Sequence, residues 1–172
     1  SEQGQSFFIK ATTMHAIGGG NLIYEVQQNS DTTYRVSDWG RIDKNGNPRE
    51  LHVDQAMTCL HHSLGETKPS SHKIQPLAFT PLTHSSELKR RQLAICEHFQ
   101  VEEIEFEGAV TLPTDIGTFQ TVYAVDSDLR IECNGKSYDV KHGQTCLIPA
   151  KCGECTVYSQ TKGRVVSAKI PA

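Results

Sequence analysis

The sequence predicts a mainly β protein built around a sandwich or barrel of jelly-roll type. From residue 92 onward, seven or eight short strand-like runs are separated by turn residues, a pattern typical of such folds. Residues 5–36 carry further runs rich in Phe, Ile, Tyr, Val and Thr, punctuated by glycine, which predicts additional strands. Helical spacing of apolar residues occurs over residues 52–66, "HVDQAMTCLHHSLGE", which predicts one helix with Gly65 as its stop signal.

The remaining segments are predicted turns and a linker. Asn45-Gly46, within "DKNGNPRE", is the strongest local turn signal, and Asn134-Gly135 and His142-Gly143 predict further tight turns. Residues 66–86 hold three prolines and many serine, threonine and histidine residues. This composition predicts a linker or an extended crossing segment.

Composition narrows the class of function. The net charge is -3, and basic and acidic residues are mixed along the chain, whereas nucleic-acid binding needs a basic stripe. No apolar run is long enough to span a bilayer and no signal peptide is visible, so we expect a cytoplasmic protein that contacts neither nucleic acid nor membrane.

Six scattered cysteines are interpreted as reduced thiols, because a chain of this length does not need disulfide staples. The spacing of Cys152-Gly-Glu-Cys155 also admits a zinc-ribbon or a redox motif. A ribbon requires a second such pair, which is missing, and a redox motif should open a helix, whereas "GECTVYS" is β-rich. We therefore favour the interpretation that these cysteines are ordinary thiols, either buried or at the edge of a sheet.

The chain contains an internal repeat. "GQSFFIKATTMH", residues 4–15, aligns with "GQTCLIPAKCGE", residues 143–154. Both align with the pattern G-x5-P-x-G-x2-H, which is similar to the second half of the signature of cupins. Cupins are small β-barrels in which the histidine of this pattern points inward and can bind a metal. The matches to this pattern are Gly4 and His15 in the first copy and Gly143 and Pro149 in the second, while Lys10, Thr12, Lys151 and Glu154 depart from it.

The repeat predicts two barrels, the first of them represented only by its second half. The fold class is accordingly mainly β: a C-terminal cupin jelly-roll barrel plus the second half of a first cupin barrel, with a short helix and linker between. We expect part of the metal-binding barrel at residues 1–50, the helix and linker at 51–91, and a second barrel without a metal site at 92–172. Unpaired strand edges recruit other chains, so we also expect a homodimer formed through residues 5–36.

The stretch "FFIKATTMHAIGGGNLIYEVQQNSDTTYRVSDWGR", followed by "GNPRELHVDQAM", closely resembles type I mannose-6-phosphate isomerases of the short bacterial kind. "CEHFQVEEIEFEG" and "GQTCLIPAKCGECTV" are similar to the second barrel of that family. The resemblance covers most of the chain but corresponds to the C-terminal portion of the family. It implies a zinc-dependent interconversion of mannose 6-phosphate and fructose 6-phosphate through a cis-enediol, with a sugar phosphate as substrate.

The resemblance assigns roles to particular residues. His15 matches the family's last zinc ligand, Arg35 matches an active-site arginine, and Glu25 is a candidate acid or base. Gln27 and Asp31 are weaker candidates for a supporting role. The other ligands of the single Zn²⁺ are not found in this chain, which has no H-x-H or Q-x-H pair.

Other interpretations remain open. His15 could be a buried, hydrogen-bonded histidine, and Arg35 could form a surface ion pair with Asp31 or Asp38. Lys10 and Thr12 replace the family's proline and glycine just before the metal histidine, and Ser37 replaces its tyrosine, so the chain can be a diverged member. The alternative function is a non-catalytic cupin that binds a sugar phosphate or a partner; a different cupin metalloenzyme, such as a dioxygenase, is weaker.

Overall fold

A computed structural model describes residues 2–30, 32–63, 73–74, 80–81, 88–113 and 117–171. The chain divides into two compact units, Ser1–Ile74 and Gln75–Ala172, and each unit is described by itself. The described part of the chain holds no helix of the length and apolar character needed to cross a bilayer.

The first unit contains one helix and little paired strand. Helix α1 is Val53–Ser63, which confirms the predicted helix, while its predicted stop at Gly65 lies outside the described residues. The carbonyl of His52 accepts the first helical hydrogen bond from the Ala56 N–H at 2.9 Å. Asp54 lies in the first turn, where its negative charge is favourable beside the positive end of the helix dipole. Ala56 is buried, as its place in the apolar stripe requires.

Strand pairing in the first unit is limited to two short elements. Strand β1, Ser6–Phe7, pairs antiparallel with β2, Lys73–Ile74. The described remainder of residues 5–36 is extended or turning backbone without strand pairing, so the strands predicted there are met only at β1. A strand needs a neighbouring strand to satisfy its backbone groups, and these segments have no such neighbour in the described chain. Dimerisation through this range stays a prediction.

The turn at Asn45-Gly46 is confirmed. Gly46 has φ 83°, and the flanking residues Ile42 and Pro48 form an isolated antiparallel bridge. The Asp43 carboxylate accepts hydrogen bonds from the backbone N–H groups of Asn45 at 2.8 Å and Asn47 at 2.9 Å. The N–H groups of Asn47 and Asn45 hold the pKa of the Asp43 carboxyl below its ordinary value, because they stabilise the charged form.

The second unit is an antiparallel β domain, as the sequence predicts for the C-terminal half. Its strands are β3 (Thr80–Pro81), β4 (Lys89–Ile95), β5 (Gln100–Leu112), β6 (Gln120–Ala124), β7 (Leu129–Cys133), β8 (Lys136–Val140), β9 (Thr145–Ile148) and β10 (Cys155–Lys169). They pair in the order β3-β4-β5-β10-β6-β9, and β7 pairs with both β10 and β8.

The long strand β10 joins the two parts of this domain. It pairs with β5 at both of its ends, while its first residues also pair with β7 and its last residues with β6. The two strand-like runs "CTVYSQ" and "RVVSAKI" are thus one strand whose register with β5 shifts between Ser159 and Gly163. A Cβ at Gly163 would lie 2.8 Å from the Ser159 Cβ, so glycine is required where the strand bends.

The core of the second unit lies between these strands. Its largest fully buried side chains come from four different strands and are all apolar or sulfur-bearing: Phe106, Ile104, Leu112, Ile131, Val122, Val157, Val165 and Cys155. Both Asn134 and Gly135 have positive φ, 51° and 68°, as the type I′ turn of a tight hairpin requires. This hairpin and the continuous apolar core confirm the mainly β prediction.

Backbone geometry confirms the internal repeat at its first turn. Gly4 and Gly143 both have φ 79°. The next residue, Gln5 or Gln144, donates its backbone N–H to the carbonyl three residues before it, at 3.2 and 2.9 Å. The side-chain oxygen of each glutamine then accepts the backbone N–H of that same earlier residue, at 3.1 and 2.9 Å. The two copies therefore build the same turn with the same side-chain closure.

The second turn of the repeat also matches. Thr12 and Lys151 occupy the glycine position of the motif, and both have positive φ, 67° and 61°. Residues with a Cβ pay a steric cost in this left-handed region, and a β-branched threonine pays most. Both copies therefore have the left-handed backbone that glycine adopts readily at this position of the motif, although neither copy has the glycine.

We therefore expect Lys151→Gly to raise the free energy of unfolding of the second unit by about 0.5 to 1 kcal/mol. The relief of left-handed strain, about 1–2 kcal/mol, exceeds the extra chain entropy that glycine adds to the unfolded state. Urea unfolding followed by circular dichroism measures the change. Ala150→Gly is the matched control, because Ala150 has no left-handed backbone to relieve and should lose stability. A loss in the Lys151 variant as large as in the control would contradict the expectation.

Candidate functional site

A polar cluster of the first unit forms where residues 34–38 meet residues 49–52. The His52 N–H donates to the Arg35 carbonyl at 2.8 Å, and the Arg35 N–H donates to the His52 Nδ1 at 3.3 Å. The rings of Tyr34 and His52 contact each other with centroids 6.1 Å apart. His52 precedes helix α1 directly, so the helix start fixes the backbone of Arg35.

The Arg35 side chain is oriented by the same segment. Its Nη1 donates to the Glu50 carbonyl at 3.3 Å, and the residue is half-buried. A guanidinium has five N–H donors in a rigid plane, so one such contact fixes its direction and leaves donors for an anionic ligand. A planar fork of N–H donors is the kind of group that binds a phosphate or an oxyanion.

Asp38 is paired with Arg49 and not with Arg35. Arg49 binds the Asp38 carboxylate with both Nε, at 2.7 Å, and Nη2, at 2.5 Å. The hydrogen bond from Arg49 holds the pKa of the Asp38 carboxyl below its ordinary value, and the nearby charges of Arg49, Arg35 and Arg41 act in the same direction. The ion pair between Arg35 and Asp38 that the sequence left open is thus not formed, and Asp31 lies outside the described residues.

His15 is exposed, so the alternative of a buried histidine is wrong. Its Nδ1 lies 3.0 Å from the Thr13 carbonyl, an acceptor, so Nδ1 carries the proton of this hydrogen bond. In the neutral ring, Nε2 then presents a lone pair. A backbone carbonyl on one ring nitrogen is the usual support of a metal-binding histidine, whose other nitrogen binds the ion.

A zinc site at His15 is incomplete in the described residues. Catalytic zinc takes about three protein ligands. Within the part of the chain that the structure describes, no group of three metal-ligating side chains includes His15. His15 fits one ligand position of such a site, and the described residues do not supply the other ligands.

Glu25 and Gln27 lie outside the named helices and strands, and both are exposed, with the half-buried Val26 between them. No hydrogen bond or ion pair among the described residues joins any two of His15, Glu25 and Arg35. Their assembly into one site stays a prediction.

The sequence interpretation missed two features of the molecule. One is the Arg49–Asp38 pair together with the His52 contacts that hold Arg35. The other is the state of the cysteines: Cys133 and Cys155 form a disulfide, so the expectation of six reduced thiols is wrong. The two residues are direct cross-strand partners on β7 and β10, a proximity that sequence spacing does not reveal.

Comparison with known proteins finds a matching family for part of the chain and several similar proteins. Residues 89–168 match the family described as mannose-6-phosphate isomerase, cupin domain. The chain is 32% identical to a probable mannose-6-phosphate isomerase of Bacillus subtilis, GmuF, over 161 residues, and 31% identical to the mannose-6-phosphate isomerase ManA of the same organism over 153 residues. These matches cover 90% and 88% of this chain but only 46% and 45% of the relatives, so the chain spans about half their length.

A solved structure agrees with the sequence relatives. The crystal structure of the mannose 6-phosphate isomerase from Bacillus subtilis superimposes with a TM-score of 0.63 and 26% identity. The match covers 81% of this chain and 41% of that chain. The cupin fold predicted from the internal repeat is thereby confirmed, and so is the family resemblance of the sequence motifs.

Proposed function

Because residues 89–168 carry the cupin domain of the mannose-6-phosphate isomerase family, we propose that this chain belongs to an aldose–ketose isomerase that interconverts mannose 6-phosphate and fructose 6-phosphate. The observation that carries the proposal is the identity of about a third with isomerases over 90% of the chain. The motif that holds Glu25 and Arg35 resembles the same family. The cytoplasmic location expected from the sequence belongs to this proposal.

Arg35 is proposed to act on negative charge in the substrate. Its backbone is fixed by His52 and its guanidinium by the Glu50 carbonyl, so the group needs little reorganisation when an anion arrives. The enediol intermediate carries oxyanion character and the substrate carries a phosphate. Either group suits a planar, permanently charged fork of donors.

His15 is proposed to provide one ligand to Zn²⁺ through Nε2, with Nδ1 held by the Thr13 carbonyl. Zinc, when bound, supplies Lewis-acid polarisation of the sugar oxygens. The remaining ligands are proposed to come from outside the described residues of this chain. Glu25 is the proposed proton carrier, taking the proton from C2 of the aldose and returning it to C1 of the ketose.

The test is an isomerisation assay of the full chain in deuterated water, with and without added Zn²⁺, on mannose 6-phosphate. We expect zinc-dependent formation of fructose 6-phosphate with deuterium at C1, because a proton held on a side chain exchanges with solvent. His15→Ala should lower the rate about 100-fold or more, since even a lost supporting contact to a metal ligand costs about 10–100-fold. His98→Ala, an exposed histidine of the second unit, is the matched control and should leave the rate unchanged.

The alternative has its own signature in the same assay. A non-catalytic sugar-phosphate-binding cupin would shift the nuclear magnetic resonance signals of the chain on addition of mannose 6-phosphate, yet give no ketose and no deuterium incorporation. That outcome would overturn the proposed isomerase, and turnover that is indifferent to His15→Ala would overturn the proposed role of His15 as a zinc ligand.

A further inference from the structure

Three sulfur atoms converge at one end of the second unit. The Sγ atoms of Cys133, Cys152 and Cys155 all lie within 4.8 Å of one another. Cys133 ends β7, Cys155 begins β10 as its direct cross-strand partner, and Cys152 lies in the loop between β9 and β10. Cys155 is fully buried, Cys133 is buried and Cys152 is half-buried. The fold therefore assembles a three-sulfur cluster from two separate turns.

A disulfide leaves one of these sulfurs without a covalent partner. Cys133 and Cys155 are bonded, and the Cys152 Sγ lies 2.9 Å from the Cys133 Sγ. No disulfide can use three sulfurs at once, whereas a metal ion can bind all three. Zinc–sulfur bonds of about 2.3 Å in tetrahedral geometry place thiolate sulfurs about 3.8 Å apart, within the span observed here. Thiolate ligands select thiophilic ions such as Zn²⁺.

The backbone around the cluster is shaped to bring the two turns together. Asn134, Lys151 and Gly153 all have positive φ, and a Cβ at Gly153 would lie 3.2 Å from the Asn134 Oδ1. The Asn134 amide lies 3.9 Å from the Cys152 Sγ and donates toward it. An N–H donor directed at sulfur stabilises the thiolate form that metal binding needs.

The cluster also has room for a fourth ligand. A cavity of about 290 Å³ reaches Cys133 and is lined by two carboxylates, Glu132 and Glu154, and by Lys136. A water molecule that enters from this side can complete a tetrahedron around the ion.

From this arrangement we propose that the reduced chain binds one Zn²⁺ ion through Cys133, Cys152 and Cys155, with a water molecule as the fourth ligand. This site joins the β7–β8 turn to the start of β10. It differs from the expectation of a second barrel without metal, which rested on the missing motif histidine. It does not depend on the proposed isomerase activity or on His15.

The reduced state is reached by cleavage of the Cys133–Cys155 bond. A phosphine reductant supplies the two electrons and takes up the oxygen of one water, whose two hydrogens end on the two sulfurs. On binding Zn²⁺, the three thiols release their protons to solvent and form three zinc–sulfur bonds. No other oxidant or reductant takes part.

The experiment uses the full chain in a His15→Ala background, reduced by a phosphine, freed of metal by a chelator and kept without oxygen. It is titrated with Co²⁺, a spectroscopic probe, and then with Zn²⁺. We expect a near-ultraviolet sulfur-to-cobalt charge-transfer band that saturates at one equivalent and disappears when Zn²⁺ displaces Co²⁺. Cys152→Ser should weaken Co²⁺ binding at least 10-fold, and Cys96→Ser, a thiol outside the cluster, should not change it.

Two results would overturn the proposal. One is the absence of the charge-transfer band in the reduced chain, which would show that the three thiols do not hold a metal. The other is a band of undiminished strength and affinity in the Cys152→Ser variant, which would show that the third sulfur is not a ligand.

Discussion

Glu103→Ala is expected to destabilise the second unit by about 3 to 5 kcal/mol, the usual cost of removing one partner from a buried ion pair. The Glu103 side chain is only 4% exposed and lies between two arginines. Arg91, its cross-strand partner on β4, donates from Nε to one carboxylate oxygen, and Arg164 on β10 lies 3.3 Å from the other. Without the carboxylate, Arg91, whose side chain is only 13% exposed, loses its ion pair with Glu103.

The neighbouring pair on the same two strands is the matched control. Arg90 and Glu102 approach to 3.2 Å, but both side chains are 21% exposed. Glu102→Ala should therefore cost only about 0–1 kcal/mol, since water screens and solvates the arginine that remains. Comparison of the two variants separates burial of the charge from the mere loss of an ion pair.

Urea unfolding followed by far-ultraviolet circular dichroism is the appropriate measurement for these variants. The single tryptophan, Trp39, lies in the first unit and its fluorescence would not report the β domain. Equal, small losses for Glu103→Ala and Glu102→Ala would show that the Arg91–Glu103–Arg164 network contributes no more than a surface pair.

Arg35→Ala is expected to lower kcat/KM for mannose 6-phosphate by about 100- to 1000-fold, the range seen when one donor to a developing oxyanion is removed. The substitution leaves intact the two backbone hydrogen bonds between residue 35 and His52, so it tests the guanidinium alone. Arg35→Lys keeps the charge but loses the planar fork, and should recover only part of the activity.

Arg41→Ala is the control for Arg35, because Arg41 is an exposed arginine six residues further along that was left out of the site. Steady-state kinetics also separate the two proposed roles. A fall confined to kcat would assign Arg35 to the intermediate, and a rise confined to KM would assign it to the phosphate. A change no larger than that of Arg41→Ala would remove Arg35 from the active site.

Local patterns in the sequence predicted the parts of the structure that local chemistry decides. The helix follows from apolar spacing before residue 63, and the tight turns follow from Asn-Gly pairs that accept positive φ. The internal repeat, read from Gly-Gln and a few matching positions, corresponds to two turns closed by the same glutamine contacts. The mainly β class and the family resemblance needed no information beyond such short-range signals.

The sequence did not predict the pairing between residues that are distant along the chain. The number of strands in the C-terminal half agrees with the prediction, but only the pairing of β10 with β5 shows that its two segments are continuous through Gly163. The strands expected within residues 5–36 are met only at β1, since propensity alone supplies no partner for the backbone groups. The assembly of His15, Glu25 and Arg35 likewise depends on tertiary packing that sequence spacing cannot specify.

The sequence by itself determined the class of fold, the repeat, the helix, the turns and the kinship with isomerases, because these rest on the properties of residues close together in the chain. Only the tertiary structure decided which charges meet and which sulfurs converge. Arg35 is held by residues 15 to 17 positions away, and Cys133 meets Cys155 at a separation of 22. Such contacts depend on strand register and loop closure, which are established only when the whole chain folds.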